Sequence, residues 1–205
     1  MLYETGMGNP LSAFVRSVLA DYGSVQRYRG KYHQEQVPTA RLPLDAVRKI
    51  GFQMLIATRF MRLARDLGVP VAPKVVSRLI RHLYGAEIHW DTEIADGISV
   101  VHGNGLVLSH GATVGPGCIL FHNVTLGEGV DPETRESGAP TLERDVHVGP
   151  GATLIGPIHV GEGTKIMAGA VVTQSVPPHS VVRSPEPKVT LRGAHAGRGE
   201  HEALN

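Results

Sequence analysis

From Val114 onward an aliphatic residue returns at every sixth position. Leu120 and Leu126 follow, and after an interruption come Leu142, Val148, Leu154, Val160, Ile166 and Val172. Four places after most of them stands a small or β-branched residue, as at Cys118, Val124, Val146, Ala152, Ile158, Thr164 and Ala170. The same phase extends back through Leu108 and Ala112, and a second run holds Ile88, Ile94 and Val100. Six is neither the ~3.6 of a helix nor the ~2 of a strand. A hexapeptide period predicts a parallel β-helix. Each hexad lays one short strand on a flat face and turns a corner, so the aliphatic side chain points into a prism. Three hexads make a coil, and coils stack at about 4.8 Å. No coil buries its core alone, so stability is a sum over neighbours. The glycines that follow the aliphatic residue, Gly115, Gly127, Gly149 and Gly161, are expected to supply corner angles that other residues resist.

Upstream the pattern is helical. Phe14, Val15, Val18 and Leu19 predict a helix over 10–22, followed by polar loops to Arg41. Leu44, Val47, Ile50, Met54, Leu55, Met61 and Leu67 trace one helix face that stops at Gly68 and Pro70. A further helix is expected from about Pro73 to Gly85, with Val76, Leu79, Ile80 and Leu83 apolar. The predicted fold is mainly β, with an N-terminal α-helical segment at 1–85, a β-helix at 86–182 and a tail at 183–205. The helices are expected to cap the open end of the solenoid, whose bare strand edges would otherwise invite aggregation. Residues 1–9 and the end of the tail are expected to be disordered.

The rhythm breaks twice. Val100 to Leu108 spans eight residues, so two are extruded around His102, Gly103, Asn104 and Gly105. Leu126 to Leu142 spans sixteen, so 127–141 is expected to be a loop thrown out of the coil. Insertions in a repeat array map to one face and are often functional.

Charge adds an asymmetry that the net +1 hides: residues 41–82 carry nine basic side chains against two acidic, and 83–205 carry seven against fourteen. A basic helical segment can meet phosphates, a membrane surface or the acidic half of another subunit. No nucleic-acid motif accompanies it, and the longest apolar stretch, 50–57, is far short of the ~20 residues of a membrane span. The single cysteine, Cys118, excludes an internal disulfide and falls at an inward position, where a packed thiol is expected. A cytoplasmic protein is the expectation.

His102 and His122 both fall at the third position of a hexad and lie twenty residues apart, one eighteen-residue coil plus the two extruded residues. They are expected on one edge, one coil apart, where an imidazole beside an extruded loop suits general-base work near neutral pH. Eleven histidines yield no ligand spacing of a known metal motif, so no metal is expected.

The run HGNGLVLSHGATVGPGCILFHNVTLGEG, followed by GAPTLERDVHVGPGATLIGPIHVGEGTKIMAGAVVTQSVPPHSVV, closely resembles the serine acetyltransferase branch of the hexapeptide acyltransferases, over about residues 85–190. The resemblance implies a left-handed parallel β-helix, a homotrimer or a dimer of trimers, active sites between subunits and acetyl-CoA as donor. It assigns the catalytic base to His102 and its carboxylate partner to Glu87, in Glu87-Ile88-His89-Trp90. It assigns acetyl-CoA contacts to Gly127, Gly149, Ala168, Gly169 and Lys188. His122, Asn104, Arg135 and Glu136 are candidates for the acceptor edge.

Departures cluster at the acceptor end. The family's aspartate before the catalytic histidine is Val101 here, and its loop Arg-His-Pro is Gly138-Ala139-Pro140. The implied function is an acetyl-CoA-dependent O-acetyltransferase acting on a sugar, polysaccharide or small alcohol. Serine acetylation with a rebuilt pocket and a catalytically silent binding partner are the alternatives.

Overall fold

The computed structural model describes residues 9–186. Lys188, expected to touch acetyl-CoA, lies outside them. Four helices precede the coils. Helix α1, Pro10–His33, starts with Asn9, whose Oδ1 accepts from the Leu11 amide at 2.9 Å. It runs on through Gly23 where loops were expected, because its continuing face is polar and aromatic rather than aliphatic. Ser24 bonds Ser99 at 2.9 Å, and Tyr28 and Tyr32 meet Phe121 and His147. The helix is thereby strapped along one face of the solenoid.

The expected single helix through Leu44 and Leu67 is two helices, α2 at Leu42–Arg48 and α3 at Ile50–Asp66, broken at the extended Lys49 (φ −105°). Leu44, Val47, Ile50 and Leu67 are exposed, so the apolar period there overstated burial. Helix α4, Val71–Tyr84, ends at left-handed Gly85 as predicted, although Leu79 and Leu83 face outward.

The coils form three parallel sheets. The first holds β1 (Glu87–Ile88), β4 (Val107–Leu108), β7 (Thr125–Gly127), β12 (Thr153–Ile155) and β15 (Val171–Val172), stacked in that order. The second holds β2 (Glu93–Ile94), β5 (Thr113–Val114), β10 (Thr141–Leu142) and β13 (His159–Val160). The third holds β3 (Ser99–Val101), β6 (Ile119–Phe121), β11 (His147–Val148), β14 (Lys165–Ile166) and β16 (Val181–Val182). Every aliphatic residue of the hexad series from Ile88 to Val172 is buried, as are Cys118, Val124, Val146, Ala152, Ile158, Thr164 and Ala170.

Two different sets of glycines serve the corners. Gly115, Gly149 and Gly161 lack a positive φ, and they are small because a Cβ would meet the backbone of the next coil, at 2.7, 2.8 and 2.4 Å. The left-handed corner position is the residue just before the inward small one, as at Gly111, Gly117, Gly151, Gly163 and Gly169, with Asn123 and Asp145 filling it elsewhere.

The first coil would expose the open edge of each sheet. Helices α1 and α3 close it with a buried ion pair. Arg59 donates to both carboxylate oxygens of Asp21 at 2.7 and 2.9 Å and to the carbonyls of Ile94 and Ala95 at 2.7 and 2.8 Å. Asp21 in turn accepts from the amides of Gly97 and Ile98 at 2.8 and 3.3 Å. Ser77 of α4 adds a bond to the Ile88 carbonyl. Three of the nine basic residues at 41–82 are thus spent on the chain's own acidic half, with Arg59 and Arg62 paired to Asp96 and Arg81 to Glu87.

The extruded loop is itself ordered and shorter than expected, because Gly127 and Thr141 remain in coil strands. Between them β8 (Gly129–Val130) and β9 (Ser137–Gly138) pair antiparallel. Asp131 closes the tip by accepting from the amides of Glu133 and Thr134, and these bonds hold its carboxyl below the usual carboxylate range.

Candidate active site

Strand register localises the first insertion. Val101 pairs with Phe121 and Val107 with Thr125, so five residues on the lower coil span the same corner as three on the upper. The excess is absorbed by His102 in the left-handed region (φ 69°), followed by Gly103 (φ 84°). A non-glycine residue held there costs on the order of 1 kcal/mol, and such strain clusters at functional sites. Gly103 is required by packing as well, since a Cβ would lie 2.6 Å from the Met54 sulfur of α3.

The corner between the third and first sheets is a continuous column. Asn123 donates its amide to the Asn104 carbonyl at 2.8 Å, Gly151 to His122 at 3.1 Å and Gly169 to Pro150 at 2.9 Å. Ser184 Oγ then reaches the Ala168 carbonyl at 3.3 Å. His102 therefore stands at the foot, His122 one coil above it, and Gly149, Ala168 and Gly169 higher still. The two imidazoles meet edge to face with centroids 5.7 Å apart, as their shared hexad position predicts. His102 is exposed and His122 half-buried. The Nδ1 of His122 is buried without a hydrogen-bond partner among the described residues.

Two clefts flank the column on the third-sheet side. The lower, of about 550 Å³, is walled by Val101, His102 and Asn104 against Tyr28 of α1 and Arg48 and Lys49 at the α2–α3 break. The upper, of about 480 Å³, lies beside Gly149 and Ala168, with Tyr32, His147, Lys165 and Arg183 around it. Burial, with Lys165 and Lys31 nearby, holds His147 below the usual imidazole value, so the ring is neutral near pH 7. Cys118 lies in the core with its thiol pushed up to about 12 by burial, far from a nucleophile's state.

Other expected site residues are not brought together within one chain. Glu87 pairs with Arg81, both about half-exposed, and no hydrogen bond joins it to His102. Arg135 and Glu136 lie on the hairpin, which rises from the corner between the first and second sheets, one corner away from His102. Gly127 has ordinary contacts and room for a Cβ.

Sequence reasoning missed the helical wall of the lower cleft, for which the basic run at 41–82 was the available signal. It also missed His89, Asp91 and His110, whose ligand-type atoms lie within 4.8 Å of one another on the hairpin's side of the prism. Their grouping arises from adjacent coils, so no known metal-motif spacing marks it, although the offset that aligns His102 with His122 also brings His110 near His89.

Comparisons with known proteins agree with this architecture. A model of the bacterial transferase hexapeptide (six repeats) matches residues 139–174. A serine acetyltransferase of Synechococcus elongatus is 38% identical over 146 residues, 70% of this chain and 58% of that protein. A serine acetyltransferase of Synechocystis is 37% identical over 107 residues, 51% of this chain and 41% of that protein. The chain thus spans about three fifths or less of the length of these relatives.

Among solved structures, Entamoeba histolytica serine acetyltransferase isoform 3, in complex with cysteine, superposes with a TM-score of 0.72 at 24% identity, over 90% of this chain and 64% of that one. The Vibrio cholerae serine acetyltransferase gives 0.70 at 27% identity, over 84% and 64%. The expected left-handed parallel β-helix with a helical N-terminal segment is the fold of these structures. Period, coil register, matched repeats and relatives together make this chain similar to the serine acetyltransferase-like branch of the hexapeptide-repeat transferases.

Proposed function

We propose that the protein is an acetyl-CoA-dependent O-acetyltransferase with His102 as general base. The observation that carries this is the column itself: an exposed, conformationally strained imidazole on the wall of the lower cleft, with a corner of small residues leading from it toward the upper one. His102 takes the proton of an acceptor hydroxyl as its oxygen attacks the thioester carbonyl, and the resulting imidazolium returns that proton to the departing CoA thiolate. The acceptor occupies the lower cleft. The donor runs along Gly149, Ala168 and Gly169, where Lys165 and Arg183 offer charge to its phosphates.

Orientation of His102 by Glu87 requires the carboxylate to exchange Arg81 for the imidazole. Between half-exposed groups that exchange costs little. A role for Arg135 and Glu136 at the acceptor edge goes together with the trimer reading, in which a neighbouring copy delivers them. The acceptor is read as a sugar or small alcohol. Val101 and Gly138-Ala139 offer no carboxylate to the ammonium of a zwitterion, and desolvating an ammonium without a partner costs several kcal/mol. Serine is the second reading, favoured by what the relatives are called.

The test is thiol release from acetyl-CoA with a panel of hydroxyl acceptors. His102→Ala should lower turnover by roughly 10² to 10⁴ with acetyl-CoA affinity kept. A folded variant with wild-type turnover overturns the assignment of the base.

A further inference from the structure

The lower cleft carries a charge pattern that narrows its occupant. Arg48 closes α2 and Lys49 is the extended residue before α3, so the kink sets two adjacent cations on the cleft wall facing the strand that ends in Val101. Among the described residues neither has an acidic partner within ion-pair distance; Arg65, Lys74 and Arg78 of the same basic segment have none either, but of these five only Arg48 and Lys49 line the cleft, and Arg41, Arg59, Arg62 and Arg81 are paired.

The acidic side of the cleft is already engaged. Glu35, the carboxylate on its wall, accepts from Arg29 at 2.6 and 3.0 Å and from Arg41 at 3.2 Å. Asp45 behind it is buried and accepts from Tyr22 at 3.0 Å and Arg29 at 3.2 Å. Val101 and Ser99 add no charge. Cations are therefore free at the cleft and carboxylates are not.

We propose that the cleft beneath His102 selects a hydroxyl acceptor bearing an anionic group, a carboxylate or phosphate held by Arg48 and Lys49, and discriminates against an acceptor bearing an ammonium. This rests on the reading of His102 as the base. Exposed cations act mainly by raising the local concentration of an oppositely charged substrate, an effect of ~10-fold or more that falls with ionic strength. The selectivity should therefore appear in kcat/KM and weaken in salt. An ammonium finds no free carboxylate and meets two like charges.

The test uses the full-length protein, saturating acetyl-CoA and thiol release. One acceptor set shares a three-carbon skeleton: glycerol, glycerate and L-serine. A second is glucose, glucuronate and glucose 6-phosphate, whose two anionic members separate a carboxylate from a phosphate preference. An anionic member should exceed its neutral counterpart in kcat/KM by about tenfold, and glycerate should exceed L-serine. In the Arg48→Gln/Lys49→Gln variant the anionic-to-neutral ratio should collapse toward one, with the KM for acetyl-CoA unchanged because the donor cleft is separate.

Glycerol or L-serine matching glycerate while glucose matches both of its anionic counterparts overturns the inference but leaves the acetyltransferase reading intact. So does a ratio that survives in the double variant. No thiol release with any acceptor, together with no acetyl-CoA binding by calorimetry, overturns both.

Discussion

Replacing Arg59 with methionine keeps an unbranched apolar stem but deletes four hydrogen bonds, to both oxygens of Asp21 and to the carbonyls of Ile94 and Ala95. Arg59 and Asp21 have side chains only 2% and 0% exposed, so water cannot take over. Breaking a buried pair by removing one partner costs about 3–5 kcal/mol, because the other charge stays buried. Two unpaired carbonyls add at least ~1 kcal/mol. A loss of roughly 4–6 kcal/mol is a large share of the ~5–15 kcal/mol that holds a typical domain. For a chain of this size it corresponds to a fall in Tm of roughly 10–20 °C.

The assay is urea and thermal unfolding at one fixed protein concentration, since an oligomer's Tm depends on concentration. Asp21→Asn and the Asp21→Asn/Arg59→Met double variant complete a cycle. The double variant should be more stable than the sum of the single effects implies, because the stranded carboxylate is gone. If Arg59→Met lies within ~1 kcal/mol of wild type, or the two effects simply add, the pair is not what closes the first coil.

Three further outcomes follow from named contacts. Gly51→Ala sets a Cβ 2.0 Å from the Val100 carbonyl oxygen, so α3 must shift away from the strand that leads to His102. It should cost ~1–3 kcal/mol and lower turnover by up to ~10², whereas Gly30→Ala, with nothing within 4 Å, should be neutral or slightly stabilising; equal effects refute the account. Cys118, its thiol held up at about 12 by burial, should resist alkylation at pH 8 in the native state and react in urea, and mass spectrometry after mixing with acetyl-CoA should find no acetyl adduct. Light scattering should give a multiple of three times 21.9 kDa, and a stable, active monomer of that mass would remove the interfacial site.

The hexad period determined the coils by itself. A residue's place in a six-residue repeat decides which way it points, and each buried aliphatic contacts its own kind one coil away. Register, the two insertions and the alignment of His102 with His122 all follow from counting, because stacking is nearest-neighbour and each coil repeats the last. The helical segment obeys no such rule. The inner face of α1 runs Ser17, Asp21, Ser24, Tyr28 and Tyr32, which has helical spacing but no hydrophobic signal, because its partners are strand-edge amides, a serine and aromatic rings on the third sheet. Conversely, Val47 and Leu83 carry the apolar signal yet face outward. Tertiary structure alone decided that Lys49 breaks a helix beside the cleft and that Glu87 meets Arg81. Each depends on how a helix lies against a neighbouring element or a coil, which is not a property of sequence spacing.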